Sequence, residues 1–153
     1  MKLTHVPDPL LTTPSKPVRA ADLKSGTFTA FVAEMRAAMI ANNGIGLAAN
    51  QVGRDEALFV IDEKLAAEHG VPSVYANPEI TEYGKEADEL EEGCLSIPGF
   101  WVLIQRSKKI MFKALDGNGV RIKFRARGML ARVLQHETDH LYGTTIQQRS
   151  SRT

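Results

Sequence analysis

Cysteine is nearly missing from this chain: Cys94 is the single one in 153 residues, beside a single tryptophan. One cysteine excludes an internal disulfide and fits a reducing, cytoplasmic compartment. Long apolar runs are missing as well. None approaches the ~20 residues needed to span a bilayer, so no membrane association is expected. Residues 1–7 lack the apolar core of a signal peptide. An excess of one charge is also absent. Lys and Arg number 19 against 18 Asp and Glu, a net charge of +1, which argues against nucleic acid or a membrane surface as the dominant partner. The hydrophobic share of 43% is ordinary for a globular protein. The length suits one domain over residues 1–153 with a substantial core.

Residues 128–143 read as one amphipathic helix. Met129, Leu130, Val133, Leu134 and Leu141 recur at helical spacing. Gly143 stands where a left-handed residue ends a helix. Inside lies His136-Glu137-Thr138-Asp139-His140, an H-E-x-x-H motif. Histidines four positions apart share one helix face, about 6 Å apart along the axis, and two such imidazoles can hold one metal ion. Glu137 then falls where its carboxylate reaches a water at the metal rather than the metal itself. If the site is complete, the third ligand is expected upstream, because residues 144–153 contain no Asp, Glu, His or Cys. Cys94 is the upstream candidate. Thiolate with two imidazoles suits zinc, iron(II) or nickel and leaves a fourth position open. The remaining histidines, His5 and His69, lie in irregular polar segments without a supporting pattern.

Residues 1–24 carry Pro7, Pro9, Pro14 and Pro17 and are expected to form an extended arm. Residues 26–43 read as a first helix. Phe28, Phe31, Val32, Met35 and Met39 face the core, Ser25 or Thr27 caps the start, and Asn42, Asn43 and Gly44 form the end. Residues 44–53 are rich in glycine and alanine, which permits close backbone approach. They lack the Gly-Lys-Ser/Thr ending of a phosphate loop. Gln51 has two readings here, a donor to an oxyanion or an amide that stabilises a turn. Leu58-Phe59-Val60-Ile61 reads as a buried strand, residues 64–70 as a loop or helical turn, and residues 73–80 as a strand interrupted at Asn77-Pro78. The acidic run over residues 85–92 is expected to be solvated. Glu92, two residues before Cys94, is the exception: buried there, it needs a cationic partner, and Arg106 is the candidate. Residues 101–126 read as antiparallel strands, with a hairpin loop at Asp116-Gly117-Asn118-Gly119. Residues 120–127 alternate apolar and basic, so one face packs and the other meets water. That basic face reads as a solvated edge in preference to an RNA contact. Residues 144–153 have too little apolar periodicity for a docked helix, and residues 147–153 read as a short polar tail.

Three stretches together resemble the motifs of the peptide deformylase family: Gly44-Ile-Gly-Leu-Ala-Ala-Asn-Gln51, Glu92-Gly-Cys-Leu-Ser96 and Gln135-His-Glu-Thr-Asp-His140. The resemblance covers roughly residues 5–146. It implies an α+β fold, antiparallel β-sheets packed around a central metal-binding helix with one further N-terminal helix. It implies removal of the formyl group from the N-terminal methionine of new polypeptides. Carried over, Cys94, His136 and His140 bind the metal, commonly iron(II), with zinc, nickel or cobalt also accepted. Glu137 is the base and then the acid, and Gln51 and the Leu95 N–H form the oxyanion site. Gly46 helps hold the substrate backbone. A methionine pocket is expected on the metal face of the helix, from Met129 and Val133 with Ile45 and Leu90. The chain departs from the family pattern twice. Asn50 stands where the first motif usually has proline, and the chain beyond the metal helix is short, as in compact phage-encoded members. The expected partners are N-formylmethionyl nascent peptides, with ribosome contact at most transient and no C-terminal docking helix. A monomer is expected, from a bacterium or a phage in a bacterial host. Two rival readings remain: an H-E-x-x-H endopeptidase that does not need Cys94, and a binding module with a structural metal that tolerates Glu137→Gln.

Overall fold

The computed structural model describes residues 1–150. Its elements are α1 (Ala20–Lys24), α2 (Thr29–Ala41), β1 (Gly46–Ala48), β2 (Leu58–Ile61), α3 (Glu63–Glu68), β3 (Val74–Tyr83), β4 (Ala87–Cys94), β5 (Ile97–Ser107), β6 (Lys109–Asp116), β7 (Arg121–Arg127), α4 (Gly128–Leu141) and α5 (Ile146–Ser150). Five antiparallel strands form one sheet in the order β1-β2-β3-β6-β7, and β4-β5 form a separate two-stranded sheet.

β2 explains why the larger sheet is covered on both faces. All four of its residues are buried, as a continuous apolar run requires. Phe59 and Ile61 join Tyr75, Phe112 and Ile110 under Leu130, Val133 and Leu134 of α4. Leu58 and Val60 point the other way, to Phe31, Met35 and Met39 of α2. Aromatic rings fasten the α4 side. Tyr75 lies 5.2 Å from both Phe59 and Phe112, and Phe112 lies 5.5 Å from Phe124. Truncating the fully buried Phe112 to alanine would cost about 3–5 kcal/mol.

The strand expected to break at Asn77-Pro78 does so by a register shift between Ala76 and Glu79. Asn77 takes a positive φ of 51° there. Its side chain bonds Val18 at both ends, Oδ1 from Val18 N and Nδ2 to Val18 O, each at 2.7 Å. The N-terminal arm is thereby stitched to the sheet. The arm is less extended than the prolines suggested. It contains a 3-10 turn at Pro9–Thr12 as well as α1, because Asp8 caps the turn and Leu11 is fully buried. Neither Ser25 nor Thr27 caps α2. Phe28 stands at that position without a side-chain bond.

α4 ends as expected. Gly143 has φ 80°, its N–H donates to His140 O, and Thr144 N–H donates to Asp139 O, the paired bonds of a Schellman motif. The tail expected to remain undocked is in part a helix. Ile146 of α5 is buried with Ile97 and Ile104, and Arg149 pairs with Asp139. An apolar anchor, an ion pair and a bond from Thr145 N–H to Gln148 Oε1 help hold five residues, too few to show periodicity. The part of that tail over residues 151–153 lies outside the described residues.

Candidate active site

α4 and the end of β4 bring together the three sequence-predicted ligands. His140 Nε2 lies 3.2 Å from His136 Nε2 and 3.3 Å from Cys94 Sγ. One ligand atom from each residue fits within a span of 4.8 Å. A tetrahedral ion with the usual metal–nitrogen and metal–sulfur bond lengths sets edges of about 3.3 Å and 3.6 Å between such atoms. The two edges that meet at His140 Nε2 are close to that geometry. His136 Nδ1 lies 2.9 Å from Glu92 Oε1. An Nδ1–H donated to that carboxylate fixes the tautomer and leaves Nε2 as the ligating atom. Burial works against a charged His136, but Cys94 and Glu92 outweigh it and hold its pKa up to about 10. A proton and a metal ion compete for that nitrogen. Burial, assisted by His136, pushes His140 well below its ordinary pKa, so its ring is neutral, as a ligand must be.

Glu137 is buried at 3% exposure, and among the described residues its Oε1 has no hydrogen-bond partner. Burial raises its pKa to about 7, against the opposing pull of His136 and Arg106. Such a carboxylate is poised to exchange protons near neutrality. Gly46 explains how it is held. A Cβ on Gly46 would lie 2.6 Å from Glu137 Oε2, so the carboxylate rests directly on the bare backbone of β1.

Gln51 sits in a 3-10 turn over Ala49–Val52. Its Oε1 accepts from Ala48 N at 3.0 Å, which orients the amide, since a backbone N–H can only donate. Its Nε2 then points at Ser96 Oγ, 3.2 Å away, and Cys94 Sγ, 3.4 Å away. The amide thus holds the turn with one end and offers donors beside Cys94 with the other. Asn50 is fully buried. Its Nδ2 donates to His140 O at 2.6 Å and to Leu10 O at 3.3 Å.

The expected Glu92–Arg106 pair is present, with Arg106 Nε and Nη2 at 2.7 and 3.0 Å from the two carboxylate oxygens. Burial opposes ionisation of Glu92, but His136 and Arg106 hold its pKa well below the usual carboxylate range. Sequence reasoning missed the rest of this network. Arg132 Nη1 also binds Glu92 Oε2, while its Nη2 reaches Asp88. Arg106 Nη1 bonds Asp139 at 2.9 Å, and Arg149 grips the same carboxylate at 2.6 and 2.8 Å. Arg132, His136 and Asp139 follow at helical spacing on one face of α4. That stripe was the available signal.

Cys94, His136 and Glu137 open into a cleft of about 700 Å³. Ile45, Gly46, Leu90, Met129 and Val133, the expected pocket residues, all line it, as do Gln51 and Leu95. Trp101 was not anticipated. It lines the same cleft and lies over Gly93, where a Cβ would meet its ring at 2.7 Å.

The family model for polypeptide deformylase matches residues 1–153. A peptide deformylase of Treponema pallidum (strain Nichols) is 43% identical over 143 residues, covering 94% of this chain and 83% of that one. That of Dictyoglomus thermophilum is 43% identical over 154 residues, covering 97% and 92%. Among solved structures, peptide deformylase from Thermotoga maritima superposes with a TM-score of 0.87 at 36% identity, over 97% of this chain and 95% of that one. The deformylase of the Vibrio parahaemolyticus bacteriophage VP16T, solved with actinonin, gives 0.83 at 34% identity, over 95% and 99%. With a family match along the whole length, and relatives this similar over nearly all of it, the chain belongs to the peptide deformylase family.

Proposed function

We propose that Cys94, His136 and His140 hold one divalent metal ion at which this chain removes the N-formyl group from the N-terminal methionine of newly made polypeptides, releasing formate. The observation that carries this reading is the convergence of Cys94 Sγ and the two histidine rings beside a buried, unpartnered Glu137 oxygen. A bound ion supplies Lewis acidity to the formyl carbonyl and to a water molecule. Glu137 takes the proton from the attacking water and later gives it to the leaving amine. Its pKa of about 7 serves both steps. The Gln51 amide and the Leu95 N–H donate to the oxygen on which negative charge develops. Gly46 keeps Glu137 in place and leaves room for the substrate backbone. Leu90, Met129, Val133 and Ile45 receive the methionine side chain. Glu92 and Arg106 orient His136 from behind.

Iron(II) is our choice of resident metal, with zinc, nickel or cobalt as substitutes that the same donors accept. We read residues 1–153 as one domain, acting as a monomer in the cytoplasm on formylated nascent chains. No helix among the described residues is long and apolar enough to cross a membrane. The test is formate release from formyl-Met-Ala-Ser by protein loaded with iron(II) or nickel, beside Cys94→Ser and Glu137→Gln. Turnover by the wild type, loss of metal in the first variant and loss of turnover with metal retained in the second are expected. An inactive wild type carrying one metal per chain would refute the reading.

A further inference from the structure

The near-zero net charge conceals an uneven distribution. Residues 108–127 contain seven basic side chains and one acidic one. Lys109 and Lys113 of β6 and Arg121, Lys123, Arg125 and Arg127 of β7 are all exposed. They share one face, because Lys109 is paired with Arg127 and Lys113 with Lys123 across the strands. The opposite face of the same strands carries Ile110, Phe112, Phe124 and Ala126 into the core under α4. α2 covers the β1–β2 end of the basic side and α1 meets the hairpin loop at Gly119, while the six basic side chains stay exposed. Two acidic residues of β3 adjoin it. Glu79 pairs with Lys113 at 3.3 Å, and Glu82 is opposite Met111. Among the described residues no ion pair is made by Lys109, Arg121, Lys123, Arg125 or Arg127.

Like charges directly opposite in a sheet are unfavourable, and here two such pairs flank the Met111–Arg125 pair on one face. We propose that this bare β6–β7 face is a docking surface for the phosphate backbone of RNA. Alternate residues on one strand are about 7 Å apart, close to the distance between neighbouring phosphates on one RNA strand. A row of that spacing neutralises successive phosphates without reading bases. A lipid surface fits less well. Exposed Trp, Phe or Leu strengthen binding to a membrane surface by inserting into it, and the exposed large apolar side chains of this kind, Leu90, Trp101 and Leu103, belong to the β4–β5 sheet instead.

The face is also placed to serve the cleft. β7 runs directly into α4, so Arg127 is two residues from Met129, which lines the cleft. β4, which contributes Leu90 and Glu91 to that cleft, carries exposed Glu86, Asp88 and Glu89 along or beside it. A phosphate-rich wall therefore attracts one side of the molecule and repels the other, which orients the approach. The choice of RNA rests on the reading that this chain acts on newly made polypeptides, whose site of synthesis is built of RNA.

The test uses the full chain and a fluorescent RNA hairpin, titrated from 50 to 200 mM salt. The wild type is expected to bind with a log–log salt slope of about −3 to −4, the release expected for four to five neutralised phosphates. Lys123→Glu with Arg125→Glu should weaken binding at least tenfold at the lowest salt. Lys2→Glu with Lys64→Glu, the same change in net charge elsewhere, should leave it within twofold. Equal weakening by both pairs, no binding at 50 mM salt, or anionic phosphatidylserine vesicles bound as tightly as RNA would each overturn the proposal. Formate release from formyl-Met-Ala-Ser by the same preparations separates the two readings. Turnover without RNA binding overturns this surface alone, and RNA binding without turnover overturns the deformylase reading alone.

Discussion

Replacing Gly46 by alanine puts a Cβ 2.6 Å from Glu137 Oε2 and 3.0 Å from its Cγ and Cδ. Ordinary contact begins near 3.4 Å, so the carboxylate must retreat by about 0.8 Å. It has little room, being 97% enclosed with 3% exposure. The backbone itself accepts alanine, since Gly46 is absent from the glycines with positive φ. The damage should therefore be local. A misplacement of about 1 Å in a reacting group costs about 100-fold in rate, and that is the loss expected in kcat. The metal ligands are untouched, so metal content should stay at one per chain. Gly44→Ala is the matched control. Its Cβ meets Leu95 Cδ1 at 2.9 Å, the end of a side chain that can rotate away, and its loss should stay below tenfold. The assay is steady-state formate release from formyl-Met-Ala-Ser with metal content measured in parallel. A raised KM with unchanged kcat would mean that Gly46 serves substrate binding alone. Activity within threefold of wild type would refute the claim that Glu137 is held against this glycine.

Glu137→Gln should also reveal itself in stability. A carboxyl whose folded pKa is raised to about 7 opposes folding once ionised. Its favourable contribution is full below the unfolded value of about 4.3 and lost as pH rises through about 7. In chelated protein the variant should gain up to about 3 kcal/mol over wild type at pH 8 and nothing at pH 4; equal melting shifts at both would contradict the burial argument. Glu92→Gln leaves Arg106 and Arg132 facing each other without their shared anion and should cost about 3–5 kcal/mol. It should also weaken metal binding 10- to 100-fold in chelator competition, and an unchanged metal affinity would show that Glu92 does not orient His136. Arg149→Met removes the two-bond grip on Asp139. With Arg149 about a third exposed, a loss of about 1 kcal/mol in urea unfolding is expected, and an unchanged midpoint would mean that this pair contributes nothing to stability.

The parts of the fold that were readable in advance are those whose burial is periodic. α4 and the β6–β7 hairpin announce themselves because one face of each must enter the core. β4 was hidden for the opposite reason. Six of its eight residues are exposed or acidic on both faces, and it pairs only with β5, so no alternation marks it. β1 is three residues long and disappears into a glycine-rich loop. The metal donors were readable because chemistry restricts them to a few residue types, and this chain offers one cysteine. The charges behind them were half readable. Glu92 had to find a cation, whereas Arg132 was marked by nothing more than its place in the stripe with His136 and Asp139.

Asn50 shows how a turn without proline can be held. Proline at that position fixes the turn through its own ring, without help from the rest of the chain. Asparagine leaves φ free, so the turn must be held from outside. The structure supplies two bonds from the Asn50 amide, one to Leu10 O in the N-terminal arm and one to His140 O on the metal helix. The first motif is thus tied to the same residue that offers a metal ligand, and the arm is tied to both. Asn50→Pro would fix φ through the ring and break both ties. If the turn were set by backbone preference alone, that variant would keep its activity and gain stability from a stiffer unfolded chain. If it is set by the two bonds, the His140 carbonyl keeps its bond from Gly143 N–H but loses this amide donor, at a cost of about 0.5–1.5 kcal/mol. The urea midpoint then falls, and Gln51, the next residue, loses its aim at Cys94, which lowers kcat along with stability.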